Sequence, residues 1–508
     1  MENNKNDTQA TKEPVCAELT DSSLTPCTIV IFGASGDLTA RKIIPALFHL
    51  FCNNGLPSQV AIVGCARTAF DDQKFRGKMH EATQPECAQK WDEFASHLHY
   101  RSITYDSMEK FTELRIALQE IDRQHQTGGN QLFYMATPPT LYPLVADMIG
   151  KAGLISDQNN SWSRIVVEKP FGSDLKTAKE LDATLHNYFT EHQIFRIDHY
   201  LAKETVQNIL MLRFANTIFE PLWNRNYIEY VGIIAAEKLG VEHRAGYYDQ
   251  AGVLRDMFQN HMLQLLSLTA MEAPSLFVAD RVRDEKIKVF RSQKPFDRST
   301  AGENLVLGQY QSGMIDGDKV IGYLDEPDVN EASRTPTFAM MRVFVDNWRW
   351  RHVPFYMVSG KRLPRKETKI VIQFKEVPHS MFAHLLDKRI DANRLTLSVY
   401  PNEEIKLTFQ TKTPGPSICL EPANLAFQYQ QQENAPLLDA YEKVLLDCMV
   451  GDQTLFWRQD SVEQCWKFLT PVLDECKICE GEAGTLHPYA AGTWGPEAAQ
   501  KWMRFLVD

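Results

Sequence analysis

Long hydrophobic runs are missing from this chain. No apolar stretch approaches the roughly 20 residues that a helix needs to cross a bilayer, so a membrane span is not expected. Positive charge is in deficit: 54 Lys and Arg stand against 65 Asp and Glu, a net charge of −11. Proteins whose main partner is nucleic acid or an anionic membrane carry the opposite balance, so neither partner is expected. An anionic small molecule is still admissible, because one pocket can be locally positive. Cysteine is sparse, with 10 in 508 residues, which is no disulfide framework. Cys476-Lys477-Ile478-Cys479 is a lone CxxC, and no second CxxC or paired histidine motif completes a zinc site. No metal is expected, and the thiols are read as reduced. The N-terminus lacks the basic stretch and apolar core of a secretory signal, which points to the cytoplasm.

What is present is an ordinary globular composition, 44% hydrophobic and 23% charged, in a chain long enough for two or three domains. Residues 1–26 are polar and read as a mobile tail. Residues 27–190 read as a Rossmann-type α/β domain, and residues 191–508 as an α+β domain with a large, mainly antiparallel sheet.

The first domain opens with Thr28-Ile-Val-Ile-Phe32, a buried parallel strand by composition. Gly33-Ala34-Ser35-Gly36-Asp37-Leu38 follows, then a helical pattern through Leu47, Leu50 and Phe51. Strand, glycine turn and helix are the setting of a dinucleotide phosphate loop. Gly33 permits the tight turn, Gly36 lets the backbone approach a pyrophosphate, and Asp37 is placed to cap the helix. Pro45 should interrupt that helix near its start. The spacing is GxxGxL rather than GxGxxG, so an ordinary tight turn competes with this reading. Further strands are expected at 59–64, 98–104, 131–136 and 164–168. After the first of these, Arg67 and Thr68 stand where NAD-binding sheets carry a ribose-binding acid, and an arginine there suits a 2′-phosphate. Lys169, in Glu168-Lys169-Pro170-Phe171-Gly172, stands at the strand end where ligands sit in such sheets. Its bond to Pro170 is open to either isomer. A helix over 173–189, capped by Ser173, closes the domain.

In the second half, strands are expected near 227–237, 286–291, 304–310, 338–347, 354–358, 369–376 and 394–410. Helices are expected near 199–214, 252–272 and 436–449. Residues 311–336 read as a long surface excursion.

Two constellations carry chemistry. Asp198-His199-Tyr200-Leu201-Ala202-Lys203 packs an acid, an imidazole, a phenol and an ammonium into six residues, and apolar residues at helical spacing follow. As a helix mouth, with His199 and Lys203 on one face, this stretch would seat a phosphate. A capped helix with its charges in water is the plain alternative. Leu254, Met257, His261, Leu265 and Leu268 form an apolar helical stripe. A lone histidine on such a stripe is more often a satisfied core residue than a catalyst.

Arg196 to Glu204, RIDHYLAKE, resembles RIDHYLGKE, the signature of glucose-6-phosphate dehydrogenases, with Ala202 in place of Gly. GASGDLTARK from Gly33 resembles their GASGDLAKKK or GGTGDLAKRK, and GCARTAF from Gly64 resembles GYARS or GTARQ. Thr137-Pro138-Pro139 is similar to their ALPP turn, EKPFG from Glu168 matches their EKPFG, and RDMFQNH from Arg255 resembles RDVMQNH. Gly360-Lys361 to Lys366 resembles their GK motif, with Arg365 where others carry Ala or Glu. These motifs run from residue 30 to about 375, and beyond about residue 410 the likeness is loose.

The resemblance implies oxidation of glucose 6-phosphate to its 6-phospho-lactone with NADP, the entry to the oxidative pentose phosphate pathway. It makes His261 the base and Asp198 its orienting acid. It gives the sugar phosphate Lys169, His199, Tyr200, Lys203, Glu237, Asp256, Lys361 and Lys366. It gives the cofactor Gly33, Ser35, Gly36, Asp37, Leu38, Lys42, Arg67 and Lys169. It implies a homodimer or homotetramer. Two rival readings are an oxidoreductase of the glucose–fructose oxidoreductase type, which lacks the HYLxK seat, and a non-catalytic nucleotide-binding protein on the same fold.

Overall fold

The computed structural model describes residues 24–83, 88–155, 161–198, 200–296, 302–382, 384–386, 389–428, 438–478 and 486–507. Residues 1–23 of the expected N-terminal tail lie outside that set.

Six strands make the first sheet: β1 (Cys27–Phe32), β2 (Val60–Ala66), β3 (Leu98–Ser102), β4 (Gln131–Met135), β5 (Ser163–Val167) and β6 (Ile194–Arg196). All pair in parallel, in the order β3-β2-β1-β4-β5-β6. This is the doubly wound order, which opens a ligand crevice where its direction reverses, between β1 and β4. β1 and β2 are buried at every position, which is why they read as unbroken apolar runs. β6 was not anticipated. It has three residues, too few to show a period, and it lies past residue 190.

Nine strands make the second sheet: β7 (Ile228–Ala236), β8 (Leu305–Gln311), β9 (Phe338–Phe344), β10 (Pro354–Gly360), β11 (Glu367–Phe374), β12 (Arg394–Tyr400), β13 (Glu404–Lys412), β14 (Leu420–Gln428) and β15 (Leu486–Ala490). Their order is β14-β13-β12-β11-β7-β10-β9-β8-β15. β7 with β10 and β8 with β15 are parallel; the other neighbours are antiparallel. Within the 311–336 excursion, Gly313–Ile315 and Asp318–Val320 form a short antiparallel ribbon.

The helices that position the site are α1 (Ile44–Cys52), α2 (Leu175–His186), α3 (Glu204–Phe214), α4 (Ala279–Arg291), α5 (Ala440–Val450) and α6 (Gln459–Ile478). Three expectations need correction. The strand expected at 286–291 is the second half of α4, whose buried residues Val282, Lys286, Val289 and Phe290 follow the helical period. The strand expected over 394–410 is two strands, β12 and β13. The cap of α2 is Asp174, which accepts from Thr177 N at 2.8 Å while Thr177 Oγ1 accepts from Asp174 N at 3.1 Å. Ser173 is one residue too early. No helix among the described residues is long and apolar enough to cross a membrane.

The chain also doubles back. Val444, Leu445, Leu446, Cys448 and Met449 of α5 complete the core that holds Ile29, Ile31 and Leu47 of the first domain. Arg164 Nη1 of β5 donates to the carbonyls of Cys448 and Met449 at 2.7 and 2.6 Å.

Candidate active site

β1 ends in the turn Gly33 to Leu38. Gly33 has φ +89°, and a Cβ there would stand 2.4 Å from the Ala136 carbonyl oxygen, so the turn requires glycine. Gly36 N donates to Gly33 O at 2.9 Å and closes the turn. Thr68 Oγ1 donates to Ser35 Oγ at 3.0 Å, and Lys78 Nζ donates to Ser35 O at 2.7 Å. The loop is thereby tied to the segment after β2 that carries Arg67, which is exposed like Lys42. Lys78 was not anticipated, because its helix shows only a polar outer face in sequence. Asp37 does not cap a helix. Its carboxylate pairs with Arg41 at 2.6 Å on the surface. A π-helical turn, Thr39–Ile43, follows Leu38 and runs without a break into α1, so Pro45 sits within a continuous helical stretch and does not interrupt it.

β5 delivers Lys169, and the Lys169–Pro170 bond is cis. Lys169 Nζ donates to Asp256 O at 3.0 Å and lies 2.9 Å from His261 Nε2. His261 Nδ1 lies 2.6 Å from Asp198 Oδ1, and both residues are buried. An ionised carboxylate only accepts, so Nδ1 carries the proton and Nε2 keeps its lone pair towards Lys169. The Tyr200 ring lies over the imidazole, with centroids 4.0 Å apart and planes 22° apart. His261 belongs to a π-helical stretch, Leu254–Met262, in which Asp256 to Met262 are all buried. The apolar stripe read from the sequence is one side of a segment that has no exposed side at this point. Such wide turns often occur at functional sites.

Burial holds the His261 imidazole below its ordinary pKa. Lys169 acts in the same direction, and Asp198 and Asp256 oppose without reversing the shift. The ring is therefore neutral near pH 7. Asp256 goes the other way. Burial opposes its ionisation, but Lys169, Lys361 and Arg244 outweigh burial and hold its carboxyl at about 2.

The stretch after Asp198 is not the first turn of a helix. Asp198 Oδ1 accepts from Tyr200 N at 3.0 Å, and Asp198 O accepts from Leu201 N at 3.0 Å. These local bonds bend the chain into turns, and α3 starts only at Glu204 with Lys203 as its N-cap. Lys203 therefore caps α3 instead of lying one turn inside a helix, and His199, expected to share a helix face with it, lies outside the described residues. The aromatic rings nonetheless gather the cations. Lys203 Nζ stands 4.8 Å from the Tyr200 ring centroid and 5.8 Å from that of Tyr400, and Lys366 Nζ stands 4.3 Å from the same Tyr400 ring. Burial first, then repulsion from Lys366, pushes the Lys203 ammonium below the ordinary lysine range. An anion placed between them relieves that strain. Tyr400 was not anticipated; a tyrosine at a strand end carries no signal of its own.

Glu237 follows β7 and Lys361 follows β10, and the parallel pairing of those strands brings Lys361 Nζ to 2.6 Å from Glu237 Oε2. Arg365 is engaged elsewhere, with Glu367 Oε2 at 2.8 Å. Asp182, His186 and Glu191 are the group among the described residues with metal-ligand spacing. Arg196 already pairs with both carboxylates, at 2.5 and 2.8 Å, so the cluster is an ion-pair network. Cys27, Cys65, Cys448 and Cys465 are buried free thiols, and Cys479 lies outside the described residues.

Two family models match this chain. "Glucose-6-phosphate dehydrogenase, NAD binding domain" covers residues 30–208, and "Glucose-6-phosphate dehydrogenase, C-terminal domain" covers residues 210–505. The chain is 45% identical over 481 residues to glucose-6-phosphate 1-dehydrogenase of Aggregatibacter actinomycetemcomitans, covering 94% of this chain and 95% of that one. It is 43% identical over 484 residues to the Treponema pallidum enzyme of the same name, covering 94% and 93%. A solved structure, glucose-6-phosphate dehydrogenase in complex with its substrate glucose-6-phosphate, superposes with a TM-score of 0.86 at 36% identity, covering 95% of this chain and 97% of that one.

Proposed function

Since this chain belongs to the glucose-6-phosphate dehydrogenase family, we propose that it oxidises D-glucose 6-phosphate to 6-phospho-D-glucono-1,5-lactone with reduction of NADP+, using His261 as base and Asp198 to orient it. The buried Asp198–His261 pair, at 2.6 Å with Nε2 turned to the end of β5, is the observation that carries this reading. The glycine turn after β1 suits a pyrophosphate, since Gly36 brings backbone without a side chain and exposed Arg67 lies beyond β2. Bound NADP+ supplies the nicotinamide that accepts hydride from C1. His261 Nε2 takes the C1 hydroxyl proton, displacing Lys169 from that lone pair, and Asp198 stabilises the imidazolium. Lys203 and Lys366, with Tyr200, hold the 6-phosphate, and Glu237, Asp256 and Lys361 hold sugar hydroxyls. A homodimer or homotetramer is the assembly we favour. The edge strand β14 leaves Leu425 62% and Phe427 44% exposed, a surface that a second copy would cover.

The test is NADPH formation with glucose 6-phosphate against glucose, and with NADP+ against NAD+. Strong preference for the phosphorylated sugar is expected. Equal efficiency with plain glucose would move the assignment to the unphosphorylated-sugar oxidoreductases. For the cofactor, Arg67→Ala should raise KM for NADP+ about tenfold or more, from a charge-assisted bond of roughly 1.5–3 kcal/mol. Use of NAD+ should hardly change, and an equal loss with both cofactors would remove Arg67 from the 2′-phosphate.

A further inference from the structure

The helix Asp72–Thr83 follows β2, and Phe75 and Met79 are its buried residues. Lys78 stands beside that stripe and is half-buried. Its ammonium is held from two sides. Lys78 Nζ donates to the Ser35 carbonyl at 2.7 Å and stands 5.6 Å from the Phe70 ring centroid. Neither contact neutralises the charge, since one partner is a carbonyl and the other an aromatic face. No carboxylate pairs with Lys78 among the described residues. An ammonium has three N–H donors, so the carbonyl leaves it free to bond an anion as well. The surroundings identify that anion. Ser35 belongs to the glycine turn after β1, and its Oγ accepts from Thr68 Oγ1 at 3.0 Å. Thr68 is the neighbour of Arg67, just past β2. Ser35 thus joins Lys78, through its carbonyl, to the Arg67–Thr68 segment, through its hydroxyl. That segment is itself fixed. Tyr100 Oη donates to Thr68 O at 2.8 Å, and the Tyr100 and Phe70 rings pack with centroids 5.5 Å apart.

We propose that Lys78 is a second cation for the 2′-phosphate of NADP+, acting with Arg67, and so a determinant of the choice between NADP+ and NAD+. The proposal rests on the reading that puts the 2′-phosphate at Arg67. In a doubly wound sheet the end of the second strand faces the adenosine ribose, while the turn after the first faces the pyrophosphate. Lys78 comes from the helix after β2 and meets the turn at the residue bonded to Thr68, which is the ribose side. A phosphate monoester carries about 1.5 to 2 negative charges near pH 7, and one guanidinium balances only one of them. A ribose 2′-hydroxyl carries none, so NAD+ gains little from either cation.

Lys78→Met removes the charge and keeps most of the stem. KM for NADP+ should rise about tenfold, the size expected of one charged hydrogen bond, while KM for NAD+ moves by less than about twofold. Inhibition by 2′,5′-ADP should weaken by a similar factor, and inhibition by 5′-AMP should not. The inhibition constant of 2′,5′-ADP should also depend less steeply on salt in the variant than in wild type. Lys78→Arg keeps a cation with several donors and should retain most of the preference for NADP+. Equal losses with NADP+ and NAD+, or with 2′,5′-ADP and 5′-AMP, would mean that Lys78 only holds the Ser35 turn or meets the pyrophosphate, and would overturn the proposal. So would a Met variant that matches wild type with both cofactors. Arg67→Ala, measured alongside, separates this failure from one beneath it. A selective loss of NADP+ in Arg67→Ala with none in Lys78→Met removes Lys78 alone. No selective loss in either variant takes the 2′-phosphate away from the end of β2 altogether.

Discussion

His261→Asn should lower kcat by roughly 10²- to 10⁴-fold, the usual range for a general base. Asparagine cannot take the C1 proton, yet its amide can still meet Asp198, so the fold and NADP+ binding should survive. The loss should appear in kcat while the affinity for NADP+, followed by fluorescence, stays near wild type. Asp198→Asn should also cut kcat, because the tautomer and the stabilised imidazolium both depend on the carboxylate at 2.6 Å. The double variant should be little worse than His261→Asn alone, since the two act as one unit. The pH profile follows from the direction of the shift. Burial lowers the imidazole pKa, so activity should be complete above a limb that lies below the ordinary value of about 6.5 and should fall as pH drops through it. Near-normal turnover of His261→Asn at neutral pH would place the base elsewhere.

Lys203→Ala should reduce kcat/KM for glucose 6-phosphate by about 10- to 100-fold, from a charged hydrogen bond of roughly 1.5–3 kcal/mol. The 6-phosphate is remote from C1, so most of its contacts are equally strong in ground and transition states and should show in KM. Some fall in kcat is expected where the phosphate also aligns C1. Relief of the repulsion between Lys203 and Lys366 adds to what a phosphate gains in wild type, and the variant no longer offers it. Poor activity on plain glucose should hardly change. The measurement is the ratio of efficiencies for the two sugars, in wild type and variant, at one ionic strength. A ratio that does not move would take the phosphate away from this seat.

The parallel sheet was legible because a strand buried on both faces has no polar residues to hide its extent, as β1 and β2 show. The glycine turn after β1, Lys169 at the end of β5 and the Asp198–His261 contact were legible through residue type and resemblance. Local bonding was not. Asp198 diverts its own chain into turns, so a helical spacing that starts at Val206 was read back too far. The alternation at 286–291 suited strand and helix alike, and only the neighbours of α4 decide for the helix. Lys78 and Tyr400 lie in stretches without any motif, and each gains its place from a partner more than 30 residues away: Ser35 and Lys203.

The return of α5 to the first domain bears on how the protein is made. Tyr441 hydrogen-bonds Glu168, the residue before Lys169, and Cys448 and Met449 receive Arg164 of β5. Between Arg196 and Cys448 a ribosome adds roughly 250 residues, which takes about 13–50 s at roughly 5–20 residues per second. For that interval the nascent first domain has all six strands but a bare apolar flank beside α1, the kind of surface that chaperones bind. A fragment ending at residue 208 should accordingly bind a hydrophobic dye and aggregate, and a peptide spanning 438–458 added in trans should reduce both. If the fragment is monomeric and dye-silent by itself, the first domain folds without waiting for the end of its own message.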